Sequence, residues 1–271
     1  MISKDLIIQK ITKRIFEEEI SLCKLWNNLD NHTKFFYIDN LLDEETANLI
    51  YNSFPFQVGL DLNQFSSFRE RKKTFAKIDQ LDPIIPNCTD AFHDEKVIQA
   101  ISKITKIDNL TADPSLYAGG LSMMGKGDFL NPHIDNSHDS GRKMYRRLNL
   151  LYYVTPDWSL ESGGNLELWN RQVSKNVTIH SKFNRLVVMN TNEYSWHSVN
   201  EVRIDKLRCC LSNYYFSPIS PNGKNYYHVT SFNGRPGQII KRIYSRFDNF
   251  IRQQIAHKLK ISRGAKFKRK N

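Results

Sequence analysis

Cysteine is scarce in this chain. Cys23, Cys88, Cys209 and Cys210 are the whole set, and no two stand at Cys-x-x-Cys spacing. Neighbours such as Cys209 and Cys210 face opposite sides of a strand and are poorly placed to bridge, so all four read as reduced thiols in a reducing compartment. Long hydrophobic runs are also missing: no apolar stretch reaches the ~18–20 residues that span a bilayer. Charges at Lys10, Lys13 and Arg14 interrupt the N-terminal segment before a signal-peptide core could form, and the expectation is a cytoplasmic protein. Most of the chain has no excess of charge either. Of 39 basic and 28 acidic residues, 12 and one lie from Arg235 onward, which leaves 27 of each in residues 1–234. The formal +11 therefore belongs to the C-terminal segment, and the body is neutral.

At 271 residues, 40% hydrophobic and 25% charged, the chain suits one large soluble domain, or one with a small appendage. Residues 1–29 read as a helix carrying Leu6, Ile7, Ile11, Ile15, Ile20 and Leu25, broken near Asn27-Asn28. A short strand, Phe35 to Ile38, precedes a helix capped by Asp43 and stopped by Pro55. Residues 57–80 are polar, with Arg69-Glu70-Arg71-Lys72-Lys73, and read as a solvated lid or a substrate-facing loop. Pro83 and Pro86 mark another loop, and Val97, Ile98, Ile101 and Ile104 predict an amphipathic helix over 94–106. From Leu116 the character changes to short aromatic and β-branched runs, separated by turn signals such as Gly119-Gly120, Gly125-Lys126-Gly127 and Gly163-Gly164. Strands at that spacing predict a β-sandwich or barrel, a mainly β (α+β) fold with packed helices.

The chemistry centres on Asn131-Pro132-His133-Ile134-Asp135. At i and i+2 of a strand, His133 and Asp135 point the same way and form half of a small-metal site. About 0.4 His-x-Asp triplets are expected by chance in such a composition, so the triplet alone is weak. Its context is stronger. His197 follows the apolar run Leu186-Val187-Val188-Met189, and Arg208 opens a strand-like segment ending near Phe216. A third ligand from a distant strand would complete a 2-His-1-carboxylate facial triad, and a buried Arg beyond it could hold a dicarboxylate through a charge-assisted pair.

These segments together resemble the iron(II)- and 2-oxoglutarate-dependent dioxygenases of the prolyl-4-hydroxylase-like branch. The likeness runs in the family's order over roughly residues 35–217. It takes in Phe35 to Leu42, Gly127 to Asp135, Arg147 to Tyr153, Gly163 to Trp169, Asn184 to Met189, Trp196-His197-Ser198-Val199 and the Arg208 strand. The resemblance implies a double-stranded β-helix, or jelly roll, with N-terminal and C-terminal helices. It divides the chain into a catalytic unit at 1–234 (jelly-roll core about 110–217, helical support 1–110) and a basic helix and tail at 235–271. It also implies Fe(II) on His133, Asp135 and His197, 2-oxoglutarate on Arg208, and O2, with ascorbate as an accessory reductant. The implied reaction hydroxylates a peptide, an amino acid or a small polar substrate, and 2-oxoglutarate leaves as succinate and CO2. Asn149, on the strand after the ligand pair, is a further candidate for contact with the co-substrate. One position departs from the pattern: many relatives carry a co-substrate Tyr nine residues before the first His, and here that residue is Met124.

His138 lies in a Ser/Asp/Gly loop and reads as a non-ligand; His180 and His228 have no partner at metal-site spacing. Trp158, Trp169 and Trp196 read as core or pocket wall. The nucleic-acid-repair relatives carry a second Arg six residues after the first, where this chain has Tyr214. Two other classes remain in view: a non-catalytic jelly-roll binding module, and a cupin-type metal protein, whose His-rich set with Glu is missing. Residues 238–260 place Ile239, Ile243, Phe247, Phe250, Ile251, Ile255 and Leu259 on one helical face among Lys and Arg. That helix would dock on the barrel with its basic face solvated, or would meet an anionic membrane surface or a polyanion. Ser262 to Asn271 reads as a disordered basic end.

Overall fold

The computed structural model describes residues 2–30, 32–56, 62–117 and 119–259; the 262–271 end, expected to be disordered, lies outside the described residues. Six helices are present among them: α1 (Lys4–Glu17), α2 (Glu19–Trp26), α3 (Glu44–Asn52), α4 (Ile84–Phe92), α5 (Glu95–Thr105) and α6 (Ile239–Leu259). The strands before the site are β1 (Phe35–Asp39), β2 (Asn63–Ser66), β3 (Glu70–Phe75), β4 (Thr111–Ala112), β5 (Gly120–Met124) and β6 (Phe129–Ile134). Then follow β7 (Tyr145–Tyr153), β8 (Leu166–Trp169), β9 (Asn176–Ile179), β10 (Arg185–Asn190), β11 (His197–Val199), β12 (Arg208–Ser217) and β13 (Ser231–Phe232). One antiparallel sheet runs β1-β10-β7-β12-β5-β3-β6-β11-β8-β9, with β13 on β6, β2 on β3 and β4 on β12. It curls into the half-barrel of a jelly roll, and the helices flank it.

Strict alternation along the long central strands sorts side chains into two compartments. Leu148, Leu150 and Tyr152 of β7, Leu186 and Val188 of β10, and Cys209, Leu211 and Tyr215 of β12 join the core shared with the helices, beside Ile7, Ile11 and Ile101. Each such fully buried aliphatic side chain contributes about 1.5–3 kcal/mol. Their sequence neighbours Leu151, Tyr153, Val187, Met189 and Cys210 line the inside of the barrel. Tyr152 and Tyr153 thus serve opposite faces, and both are buried: Tyr152 donates its hydroxyl proton to Asn184 Oδ1 at 2.7 Å. All four cysteines are free.

Several local expectations need correction. The N-terminal helix is two, broken at Glu18, which lets Leu22 and Trp26 turn inward and Trp26 Nε1 donate to the Thr105 carbonyl at 3.0 Å. Leu6 and Ile20 lie outside the core. The polar 57–80 segment holds a hairpin where a lid or loop was expected: β3 inserts between β5 and β6, and Lys72 faces the barrel interior. Its Lys/Arg-rich composition hides a strand because ladder hydrogen bonds come from the backbone, whatever the side chains. Pro83 and Pro86 stand at the start of α4, where a missing N–H removes nothing from the helix. The segment between β12 and α6 contains β13, which pairs Phe232 with His133. Finally, α6 docks through its polar face. Asn249 bonds the N–H and carbonyl of Phe232, and Gln253 bonds those of Val229, while Ile240, Ile243, Phe247 and Phe250 face solvent.

Candidate active site

His133 near the end of β6 and His197 at the start of β11 are direct cross-strand partners, with ring centroids 4.0 Å apart. Asp135 leaves β6 two residues later, back on the His133 face. Each imidazole donates its Nδ1 proton to the backbone carbonyl two residues upstream: His133 to Asn131 at 3.0 Å and His197 to Ser195 at 2.9 Å. That tautomer leaves both Nε2 atoms as lone-pair donors. Nε2 of His133 lies 3.6 Å from Asp135 Oδ1, and Nε2 of His197 lies 3.4 Å from Oδ2. One ion with ligand bonds of about 2.1 Å could touch all three. The trio is also the group of His, Cys, Asp and Glu side chains among the described residues that is spaced to hold a metal.

Asp135 is held from behind. Its Oδ2 accepts from Asn149 Nδ2 at 2.7 Å and lies 3.0 Å from Arg146 Nη1 in a buried ion pair. Burial would raise the Asp135 carboxyl, but the Arg146 guanidinium and then the His197 ring hold it well below the usual carboxylate range. Burial, reinforced by the charge of His197, pulls His133 down against the opposing pull of Asp135. A carboxylate and an unprotonated imidazole are the forms that bind a divalent metal.

The three side chains open on a cavity of about 220 Å³ that also includes Asn149 and Arg208. Arg208 starts β12 opposite Met124 and is only 3% exposed. Its stem passes over Gly164, where a Cβ would come within 2.8 Å of Arg208 Cδ; glycine also tolerates the φ of +66° there. The guanidinium sits 4.9 Å from the centre of the Tyr153 ring, and its Nε reaches Ser181 Oγ only at 3.5 Å. Nη1 is buried with no hydrogen-bond partner among the described residues. A guanidinium without a carboxylate beside it is costly to bury.

Residues 119–216, which carry all of these side chains, match the model of the 2OG-Fe(II) oxygenase superfamily. The chain carries a 2OG-Fe(II) oxygenase domain. Solved structures agree in fold. A Pseudomonas putida prolyl-4-hydroxylase aligns with 14% identity and a TM-score of 0.55, covering 72% of this chain and 98% of its own. A Phytophthora capsici prolyl 4-hydroxylase aligns with 17% identity and a TM-score of 0.54, covering 91% and 75%. A Trichoplax adhaerens prolyl hydroxylase, solved with a hypoxia-inducible-factor oxygen-degradation-domain peptide, gives 20% and 0.51 over 74% and 92%. At such identities the likeness is one of fold, and the oxygenase is prolyl-hydroxylase-like in that sense. No curated protein matches the chain.

The donor set of the oxygenase fits its family's cofactors: two imidazoles with Nε2 turned toward a carboxylate for iron, and a buried guanidinium with an unsatisfied Nη1 among the described residues for a dicarboxylate. At the position of the usual co-substrate tyrosine, Met124 lines the cavity and Tyr117 does not. The phenol nearest the guanidinium is Tyr153, which burial, only partly offset by Arg208, pushes up to about 12, so it stays protonated. His138 packs on Tyr145 with its Nδ1 against Ser137 Oγ at 2.7 Å, and His180 Nε2 meets the Trp158 carbonyl at 2.8 Å. Trp158 and Trp169 are core, donating to the Gly163 carbonyl and to Ser198 Oγ.

Arg146 is the site residue that sequence reasoning missed. Period-two alternation from Asn149 puts Arg147 inside the oxygenase barrel and Arg146 outside. The β7–β12 register pairs Tyr215 with Leu148 but Phe216 with Arg146, so a bulge at Arg147 reverses the faces. Arg146 then stacks 3.7 Å over Tyr214 and reaches Asp135, while Arg147 bonds the Ile219 carbonyl on the surface.

Proposed function

We propose that this oxygenase holds Fe(II) on His133, Asp135 and His197 and 2-oxoglutarate on Arg208, and hydroxylates an unactivated C–H bond of a peptide, an amino acid or another small polar molecule. The observation that carries the reading is the meeting, in one cavity, of two imidazole Nε2 atoms, a carboxylate and a buried guanidinium with an unsatisfied Nη1 among the described residues. With iron bound, the redox chemistry is that of the family: 2-oxoglutarate, O2 and R–H become succinate, CO2 and R–OH.

The chain's own residues do the rest. The carbonyls of Asn131 and Ser195 keep both imidazoles in the ligating tautomer. Arg146 and Asn149 engage Asp135 Oδ2 and leave Oδ1 toward His133. Asn149 therefore acts in this reading as a positioning residue for the carboxylate rather than as a contact for 2-oxoglutarate. Arg208 pairs with a carboxylate in a site walled by Met124, Val199 and Phe232, where low polarity strengthens the charge-assisted bond.

Polarity of the substrate is supported by what the cavity still offers. Nε and Nη2 of Arg146 are buried without a hydrogen-bond partner among the described residues, and the Glu70–Lys72 pair (3.2 Å) also lines the cavity. A carbonyl or carboxylate oxygen would satisfy the Arg146 donors. The peptide bound by the Trichoplax relative is of that chemistry.

The test is anaerobic titration of the metal-free protein with Fe(II) and 2-oxoglutarate, following the visible charge-transfer band of the chelated keto acid. The band is expected in the wild type, lost in Asp135→Ala and shifted to higher 2-oxoglutarate in Arg208→Ala. Succinate release is then followed over peptides and amino acids, with and without ascorbate. A folded wild type without the band would leave a binding module in place of an enzyme.

A further inference from the structure

The C-terminal helix α6 is amphipathic in the reverse of the usual sense. Its polar face holds the protein: Asn249 bonds the Phe232 backbone of β13, Gln253 bonds the Val229 backbone just before it, Arg242 donates to the carbonyls of Gln172 and Val173, and Asp248 pairs with Arg69 at 2.6 Å. Its apolar face is largely open among the described residues, with Tyr244 alone edge-on to Phe68. Ile240 is 84% exposed, Phe247 67% and Phe250 64%, and Ile243, Tyr244 and Ile251 lie along the same stripe. At 100° per residue, Lys241 and Arg246 border that stripe on its two sides. An apolar strip of this length is far from the scattered single hydrophobics of an ordinary surface.

We propose that α6 is a docking surface for an anionic lipid bilayer, lying in the plane of the interface with Ile243, Phe247 and Phe250 inserted. The occupant is argued from charge. The helix has Lys241, Arg242, Arg246, Arg252 and Lys258 against Asp248, and residues 260–271 add six Lys/Arg and no acid. Two copies of this surface would bring like charges together along the seam. A nucleic acid would need the basic residues outward, whereas Ile and Phe face outward here and Arg242 is turned to the body. Basic residues bordering a bulky apolar strip match the headgroup and acyl layers of a bilayer with negative lipids. No described helix is long and apolar enough to cross a membrane, so the contact is peripheral. Through β13, which pairs with the His133 strand, the surface adjoins the Phe232 wall of the cavity.

The experiment is flotation of the full chain with vesicles of phosphatidylcholine alone and of phosphatidylcholine mixed with phosphatidylglycerol, at low and high salt. Binding is expected to the mixed vesicles and not to the neutral ones, weakened by salt. Lys241→Gln with Arg246→Gln should weaken it about tenfold or more. Ile243→Ser with Phe247→Ser and Phe250→Ser should abolish it. These side chains are outside the core, so the iron and 2-oxoglutarate titration of each variant reports that the fold is intact, and vesicle binding stands or falls independently of turnover. Absence of wild-type flotation, or equal flotation of the apolar triple variant, would overturn the proposal. So would a concentration-dependent dimer that the triple variant loses, or retention of a duplex oligonucleotide in place of vesicles.

Discussion

Replacing Arg208 by Met separates a ligand-binding arginine from a structural one, because the two roles predict opposite signs. Among the described residues the guanidinium has a hydrogen bond at the 3.5 Å limit, a ring contact at 4.9 Å and an unsatisfied Nη1. The ring contact is worth about 0.5–2 kcal/mol. A buried unsatisfied donor costs about 1–3 kcal/mol, and desolvating the charge adds to that. Methionine keeps much of the volume and removes the penalty. The metal-free variant should therefore match the wild type or exceed it by up to ~2 kcal/mol, a Tm change of roughly zero to +8 °C at ~2–4 °C per kcal/mol. Affinity for 2-oxoglutarate should meanwhile fall by the ~1.5–3 kcal/mol of a charge-assisted hydrogen bond, about 10- to 150-fold. Thermal unfolding of the apoprotein and anaerobic titration of the chelate band measure the two numbers on one preparation. A Tm several degrees lower with unchanged half-saturation would refute the reasoning and make Arg208 a structural cation.

Arg146→Met should behave in the opposite way: it strips a buried carboxylate of its counter-ion, so the apoprotein should lose about 3 kcal/mol in urea unfolding, and Fe(II) affinity should drop ~10–100-fold by equilibrium dialysis. Gly163→Ala, at φ +76° with a Cβ 1.9 Å from the Glu201 carbonyl oxygen, should cost on the order of 3 kcal/mol or more, whereas Gly223→Ala, at φ +72° in open space, should cost only about 1 kcal/mol by the same thermal melt. Burial pulls His228 down to about 4, below its unfolded value near 6.5. Its contribution to stability is thus complete above about pH 6.5 and is lost as pH falls toward 4, a change of about 3 kcal/mol. His228→Phe keeps the backbone bonds to Ser137 and should flatten that part of the pH–stability curve; an unchanged slope in urea titrations would count against the assignment.

The sequence by itself determined the parts of this protein that depend on local pattern. His133 and Asp135 share a face because side chains alternate along a strand, and no tertiary information is needed to see it. The apolar runs of β10 and β12 declare buried strands, and Asp43 declares a helix start that the Thr46 N–H then confirms at 2.9 Å. Order and spacing of the motifs were enough to carry the family resemblance, and with it the positions of His197 and Arg208. Tertiary structure alone decided what depends on register and on the surface an element meets. A bulge of one residue in β7 turned Arg146 inward onto Asp135 and Arg147 outward, a reversal that no period-two reading can contain. The Lys/Arg-rich β3 became a barrel strand because two neighbouring edges needed its backbone donors and acceptors. Amphipathicity located α6 correctly but not its orientation: a hydrophobic stripe says that one face differs from the other, and the hydrogen bonds of Asn249 to Phe232 and of Gln253 to Val229 chose which face the barrel received.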